Sequence, residues 1–202
     1  MTKRLVIATH NKGKAVEIKT LLGDIGLRDW TLLSLDQFEN VGEAAEDADT
    51  YLANAISKAT YYAEKTGEWV LADDSGLEVQ ALERAPGVLS ARYAGPNASD
   101  SERRLKLLTE LAGVVDRRAR FVCSAAIADL NGQIVRTAEG ICEGVISQNP
   151  RGDSGFGYDP IFIPSGYDLT FGELSDEIKN EISHRAKAIR GLHGFLEEMR
   201  RR

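Results

Sequence analysis

Apolar and polar positions along the first part of the chain predict strands and helices in alternation. Short β-favouring apolar runs predict four strands, at residues 4–9, 30–35, 70–72 and 77–79. Apolar residues at helical spacing predict a helix at 50–66, and a looser pattern predicts another at 14–22. This alternation is typical of an α/β protein.

Strands follow one another in the second part of the chain. Ser99 and Glu102 have capping-box spacing and predict a helix after them. The segment Leu130-Asn-Gly132 predicts a hairpin turn, and the predicted strands lie at 121–129, 133–141, 144–147 and 160–163. A helix over 183–201 closes the chain. We therefore expect one domain, residues 1–202, with a mixed β-sheet flanked by helices.

Composition narrows the class of protein. The net charge is −6, from 31 acidic and 25 basic residues, which argues against a nucleic-acid polymer as partner because such proteins need a basic face. No apolar run approaches the roughly 20 residues that span a bilayer, and the N-terminus lacks a secretory signal, so we expect a cytoplasmic protein without a membrane partner. Cys123 and Cys142 lack metal-ligand spacing and are expected to be buried, reduced thiols.

The most informative segment is Val70–Gly76, where an apolar run leads into Asp73, Asp74, Ser75 and Gly76. Adjacent carboxylates repel each other, and a divalent cation is one way to compensate them. The alternative is a strand followed by a polar turn, because Asp, Ser and Gly are all turn formers. The segment alone favours neither interpretation.

Two further segments could complete an anionic-ligand site. The loop Thr9-His10-Asn11-Lys12-Gly13-Lys14 follows a predicted strand and precedes a helix, which is the architecture of an anion site; an ordinary turn is the favoured alternative when the loop is taken alone. Four carboxylates stand ahead of the 50–66 helix and suit a helix N-terminus, but one could reach a metal: Glu43, Glu46, Asp47 and Asp49.

Aromatic and donor side chains occur near the C-terminus. In Gly152–Pro160 we expect Phe156, with glycine on both sides, to stack on a planar base and Tyr158 to anchor the loop on the core. Ser183 resembles a helix N-cap, which leaves His184 and Arg185 in the first turn as donors to carbonyl oxygens. A surface helix start with incidental charge is the alternative.

Taken together, these segments resemble the inosine/xanthosine triphosphate pyrophosphatase family, also called Ham1-like. The matching blocks cover nearly the whole chain, and in order they are Thr9-His-Asn-Lys-Gly-Lys14, Glu46 with Thr50-x-x-x-Asn54-Ala-x-x-Lys58-Ala, Ala72-Asp-Asp-Ser-Gly-Leu77, Pro86-Gly-Val-x-Ser90-Ala-Arg-Tyr93, Gly155-Phe-Gly-Tyr-Asp-Pro160 and Ser183-His-Arg185. One departure is His10, where the family usually has glycine or serine.

The resemblance implies an elongated α/β fold with a long mixed sheet, two lobes, a central nucleotide cleft and a homodimer. It implies that Asp74 is the general base, that Lys14 acts on the phosphates, and that Mg²⁺ is held by Glu46 and Asp74 with Asp73 in support. The implied substrate-binding residues are Thr9, His10, Asn11, Lys12, Gly13, Lys14, Ser75, Phe156, Gly157, Tyr158, Asp159, Lys179, His184 and Arg185.

The implied reaction is hydrolysis of nonstandard purine nucleoside triphosphates (ITP, dITP and XTP) to the monophosphate and pyrophosphate. A non-catalytic purine-nucleotide-binding regulator is the alternative from another class. A metal-dependent phosphatase acting on sugar or nucleotide monophosphates is a second enzyme alternative, and it would release orthophosphate instead.

Overall fold

The computed structural model describes residues 3–27 and 30–201, and among them it contains six strands and six α-helices. The strands are β1 (Arg4–Ile7), β2 (Thr31–Ser34), β3 (Trp69–Val79), β4 (Arg118–Ala128), β5 (Ile134–Ile146) and β6 (Phe162–Pro164). The helices are α1 (Lys12–Asp24), α2 (Tyr51–Thr66), α3 (Asp100–Glu110), α4 (Asp176–Ile182), α5 (His184–Gly191) and α6 (His193–Arg201).

The strands form a six-stranded sheet in the order β2-β1-β3-β4-β5-β6. β1 pairs in parallel with both β2 and β3, whereas β5 and β6 are antiparallel, with Val145 opposite Ile163. β4 and β5 are neighbours joined by a tight turn in which the Asp129 amide donates to the Gln133 carbonyl at 2.9 Å. The predicted α/β class, the mixed sheet and the hairpin are thus confirmed.

The chain divides into two compact units. The first comprises residues 1–74, 123–140 and 185–202, and the second comprises 75–122 and 141–184. Three of the four division points fall inside β3, β4 and β5. The single domain, the elongated form and the cleft expected from the sequence stay predictions.

The first unit has two apolar clusters, because successive residues of a strand face opposite sides of a sheet. Leu5, Ile7 and Leu71 belong to one cluster, which also contains Leu22 of α1 and Ile189 of α5. The other cluster contains Ala55, Ala59 and Ala63 of α2 with the alternate residues Val6 of β1 and Val70 and Ala72 of β3, and with Ala8, which directly follows β1. β1 and β3 are therefore buried on both sides.

The second unit has an aromatic core. Phe121 of β4 lies with its ring centroid 4.6 Å from that of Phe162, and Phe162 stacks on Phe171 at 5.5 Å. Leu77 and Leu107 complete this cluster from β3 and α3. The segment around residues 155–162 thus has a rigid support.

The predicted helices α2 and α3 begin at capping residues. Thr50 caps α2 by accepting a hydrogen bond from the Ala53 amide at 3.2 Å. Ser99 and Glu102 form the predicted capping box at the start of α3. Cys123 and Cys142 are both buried, free thiols, as expected. No helix in the described part of the chain has the length and apolar character needed to cross a membrane.

Two predictions about the elements were wrong, and one helix was missed. The acidic turn between strands at 70–72 and 77–79 does not exist, because β3 continues through Asp73, Asp74 and Ser75. The helix expected over 183–201 is two helices, α5 and α6, separated at Leu192. α4 was not predicted; its start is capped by Ser175, which accepts from the Ile178 amide at 3.4 Å.

Candidate active site

The loop after β1 has the strand–loop–helix architecture that the sequence predicted. Asn11 is the N-cap of α1, and its side-chain oxygen accepts a hydrogen bond from the Lys14 amide at 3.0 Å. Thr9 Oγ1 accepts from the Asn11 amide at 3.2 Å. Lys12, Gly13 and Lys14 then form the first turn of α1, so the predicted phosphate loop lies at a helix N-terminus.

His10 connects this loop to α2. Its Nε2 lies 3.0 Å from Tyr62 Oη, and the same oxygen accepts a weak hydrogen bond from the Ala44 amide at 3.3 Å. The residue by which this chain departs from the family pattern therefore has a defined partner. Through Tyr62, it links the loop to the segment that carries Glu46.

The two carboxylates of β3 have different surroundings, although they are adjacent in sequence. Asp73 is 1% exposed, and its Oδ2 lies 3.2 Å from both Lys14 Nζ and Arg185 Nε. Arg185 is also bonded to Glu17 of α1. Burial alone would raise the pKa of Asp73, but Lys14, Arg185 and Lys58 outweigh burial and hold the pKa well below its usual range. Asp73 is therefore a charged counter-ion for two cations.

Asp74 contacts a second set of side chains, from α2. Asn54 Nδ2 donates to its Oδ2 at 2.9 Å, and Lys58 Nζ lies 3.8 Å from its Oδ1. Burial raises the pKa of Asp74 above its ordinary value, although Lys58, Lys14 and Asn54 act in the opposite direction. A carboxylate with a raised pKa is a better proton acceptor near neutral pH.

Glu46 and Asp74 converge on one cation. Lys58 Nζ lies 3.0 Å from Glu46 Oε1 as well as 3.8 Å from Asp74 Oδ1. Burial disfavours the charged ammonium, but the three carboxylates Asp73, Asp74 and Glu46 raise the pKa of Lys58 above its ordinary value. Carboxylates from two separate segments are thus close enough to share a single positive charge.

Glu46 and Asp74 suit a cation that takes most of its ligands from water and from the substrate. Within residues 3–27 and 30–201, no three His, Cys, Asp or Glu side chains are grouped so that they could hold a metal ion. Mg²⁺ typically binds one or two carboxylates and completes its shell with water and phosphate oxygens. Glu46 and Asp74 suit that mode, whereas Asp73 already has Lys14 and Arg185 beside it.

In the second unit, Asp159 organises the aromatic loop. Its Oδ2 accepts a hydrogen bond from the Phe156 amide at 2.8 Å and an ion-paired one from Lys179 Nζ at 2.7 Å. Lys179 Nζ also lies 4.8 Å from the centroid of the Phe156 ring, a cation–π distance. Phe156 is half-buried.

Tyr158 and His184 are buried in the same unit. Tyr158 Oη donates to the Ser90 carbonyl at 2.9 Å, so this ring anchors the loop on its support. His184 stacks on Phe121 with centroids 4.6 Å apart and 10° between the planes. Ser75, the first residue of the second unit, is half-buried within β3.

Sequence reasoning did not assign roles to several residues that the structure places beside the predicted ones. Asn54 and Lys58 lie four residues apart on α2 and so share one face of the helix. Both are polar on an otherwise apolar, buried stripe, and this signal could have identified them. Glu17, Asp100 and Arg104 carried no comparable signal, because their partners are distant in sequence.

Two carboxylates that share a cation, together with a lysine in the first turn of a helix, suit an α/β protein that acts on phosphate groups. The chain belongs to the Ham1 family, whose sequence model matches residues 5–195.

Relatives of this chain carry a consistent name. A protein of Desulforamulus reducens named dITP/XTP pyrophosphatase is 51% identical over 97% of this chain and 96% of its own length. A protein of Nostoc sp. with the same name is 47% identical over 95% and 93%. The structure of a HAM1 protein from Coxiella burnetii is 40% identical, covers 97% of this chain and 99% of its own, and has a TM-score of 0.85.

Proposed function

We propose that this chain is a nucleoside triphosphate pyrophosphatase that hydrolyses ITP, dITP and XTP to the monophosphate and pyrophosphate. Relatives named dITP/XTP pyrophosphatase align with nearly the whole chain. The observation that carries the proposal is the convergence of Glu46 and Asp74 on the Lys58 ammonium. A pure binding protein has no need of a proton acceptor beside its cation site.

The loop of residues 9–14 is proposed to bind the triphosphate. A triphosphate carries roughly four negative charges, which must be offset before a nucleophile can approach. Amides at the start of α1 and the ammonium of Lys14 supply that positive charge. Asp73 lies 3.2 Å from Lys14 Nζ and so keeps the ammonium beside β3. The role of Asp73 as a supporting metal ligand, which the family resemblance implies, remains a prediction.

Glu46 and Asp74 are proposed to hold Mg²⁺. When bound, the ion would neutralise the leaving pyrophosphate and lower the pKa of a bound water. Lys58 occupies the same carboxylates in the protein alone and would then be displaced toward the phosphates.

Asp74 is proposed to act as the general base. It would take a proton from the water that attacks the α-phosphorus. Asn54 orients the carboxylate through its hydrogen bond to Oδ2. Pyrophosphate then leaves with the charge that Lys14 offsets.

Residues of the second unit are proposed to select the base. Phe156 would stack on the purine, and Ser75, Tyr158, Asp159, Lys179 and His184 would complete its surroundings. The family resemblance adds Arg185, which belongs to the first unit. Hypoxanthine and xanthine present a 6-oxo acceptor, whereas adenine presents a 6-amino donor. Confronting donor with donor costs about 1–3 kcal/mol per unpaired group, a factor of roughly ten to a hundred. Arg185 is bonded to Asp73 and Glu17, which makes positioning of Asp73 its better supported task.

A homodimer in the cytoplasm, without nucleic-acid polymer or membrane partners, completes the proposal. The net charge of −6 supports the absence of a polymer partner. The dimer and the location rest on the family resemblance.

The product of the reaction tests the proposal. With ITP and Mg²⁺, we expect the protein to release pyrophosphate and IMP, and we expect Asp74→Asn to reduce turnover strongly while the protein remains folded. Release of orthophosphate from nucleotide monophosphates would instead identify a phosphatase. Binding of ITP without any product would identify a regulator.

A further inference from the structure

Helix α3 forms hydrogen bonds with both the amide and the carbonyl of Gly157, the residue that follows Phe156. The Gly157 amide donates to Asp100 Oδ2 at 2.7 Å, and Arg104 Nη1 donates to the Gly157 carbonyl at 2.7 Å. Asp100 and Arg104 are four residues apart and therefore lie on one face of α3. Two side chains of one helix thus bind both backbone polar groups of Gly157.

The residues on either side of Gly157 are held by other segments. The Phe156 amide donates to Asp159 Oδ2 at 2.8 Å, and Tyr158 Oη donates to the Ser90 carbonyl at 2.9 Å. Three consecutive residues therefore have hydrogen bonds to Asp159, to α3 and to Ser90. The backbone is held by hydrogen bonds at the point where the Phe156 ring is attached.

The start of α3 is itself well anchored. Ser99 caps the helix, and Arg103 Nη1 donates to the carbonyls of Ala91 and Ala98 at 2.7 and 2.6 Å. Burial would raise the pKa of Asp100, but the Gly157 amide, Arg103 and Arg104 hold it below its ordinary value. Asp100 therefore stays ionised at neutral pH, and hydrogen bonds to an ionised group are the stronger kind.

We propose that Asp100 and Arg104 are positioning residues for base selection, because by holding Gly157 they fix the height and tilt of the Phe156 ring. The inference rests on the proposed stacking role of Phe156. A base stacked on a fixed ring keeps its 6-position aligned with the donors that read it, and small misplacements weaken such contacts strongly. Neither residue needs to touch the substrate.

The test is the ratio of kcat/KM for ITP to kcat/KM for ATP. Both purines can stack on the Phe156 ring. The ratio therefore measures how well the 6-position of the base is aligned with the donors that read it. Asp100→Ala and Arg104→Leu should each lower the ratio about fivefold, the value of roughly one hydrogen bond. The Mg²⁺ concentration for half-maximal rate should not change, because the first unit is untouched. Arg104→Lys keeps a donor and should restore part of the ratio.

Lys106→Met is the matched control. Lys106 belongs to the same helix and donates to the Tyr93 carbonyl at 2.7 Å, not to the loop. Its removal should leave the ratio at the wild-type value. Thermal unfolding of every variant identifies any loss of the fold.

A double-mutant cycle separates positioning from a general structural effect. In a Phe156→Ala background, Arg104→Leu should cause no further fall in the ratio, because the ring it positions is gone. An equal fall in both backgrounds, or an unchanged ratio in Arg104→Leu alone, overturns the inference. Failure of the wild-type protein to hydrolyse ITP would instead reject the proposed function, and the inference with it.

Discussion

Lys58 is the residue on which the proposed metal site can be tested most directly. Its ammonium lies within ion-pairing distance of Glu46 and Asp74 and so competes with any cation for the same oxygens. Lys58→Met should therefore tighten Mg²⁺ binding to the nucleotide-free protein, measured by calorimetry. Lys65→Met, in the last turn of the same helix, is the matched control and should leave Mg²⁺ binding unchanged.

The same substitution should shift the pH dependence of turnover. Lys58 lowers the pKa of Asp74, while burial raises it. Without the ammonium, the pKa of Asp74 rises further, so Asp74 becomes protonated at a higher pH. The acidic limb of the kcat/KM profile for ITP, which reports the free protein, should therefore move to higher pH in Lys58→Met. A limb that stays in place would argue against Asp74 as the group that must be ionised.

Asp73 contributes to stability because two cations surround it. Asp73→Asn leaves Lys14 and Arg185 without their common counter-ion, and breaking a buried pair costs about 3 kcal/mol of unfolding free energy. Urea unfolding at neutral pH measures this loss. Asp116→Asn is the control, because its pair with Arg118 is exposed and should contribute little.

The contribution of Asp73 has a defined sign with pH. The folded-state pKa lies below the ordinary value, so the stabilisation is complete above about pH 4 and is lost as the pH falls through the folded pKa. The difference in unfolding free energy between the wild-type protein and Asp73→Asn should therefore shrink below about pH 4. If this difference instead increases as the pH falls, the ion pairs of Asp73 are not what stabilises the folded protein.

At the scale of elements, the aromatic loop depends on a glycine that permits close approach. Gly155 has φ of +75°, and a Cβ there would collide with the Asp159 carboxylate that binds Phe156 and Lys179. Gly155→Ala should destabilise the protein and lower selectivity for ITP over ATP. Gly166→Ala has the same left-handed strain at φ +90° but meets no atom within 4 Å. It should leave the selectivity unchanged.

The contrast between predicted and observed elements follows from where their determinants lie. The α3 capping box and the hairpin turn are local signals, and both were predicted correctly. β3 was divided at Asp73 and Asp74, because those residues favour turns when read locally. Their charges are tolerated in a buried strand through Lys14, Lys58 and Arg185, which come from α1, α2 and α5.

The site shows the same limit. The glycine-containing loop and the acidic segment were recognised because each is contiguous in sequence. Arg104 of α3 was not, because its acceptor is the backbone carbonyl of Gly157, 53 positions away, and a carbonyl carries no sequence signal. Contacts between a side chain and a distant backbone group therefore cannot be predicted from a single sequence.

At the scale of the whole molecule, the proposed function divides the work between the two compact units. Lys14, Glu46 and Asp74 belong to the first unit, whereas Phe156 and Asp159 belong to the second. The groups that would act on phosphate are common to all nucleoside triphosphates. The groups that would contact the base can distinguish one base from another. Rate and selectivity should therefore respond to separate sets of substitutions.

Lys14→Ala and Phe156→Ala test this division in one assay. Loss of the Lys14 charge should lower kcat/KM for ITP and ATP by the same factor, on the order of a hundred, because both carry the same triphosphate. Loss of the Phe156 ring should lower kcat/KM for both nucleotides about tenfold, since base stacking is worth roughly 1–3 kcal/mol. It should also lower the ITP-to-ATP ratio, because the base is no longer aligned with the donors that read its 6-position, and it should leave the Mg²⁺ requirement unchanged. The reverse pattern, with selectivity following Lys14 and Mg²⁺ dependence following Phe156, would contradict the division, because charge at the phosphates cannot distinguish two bases.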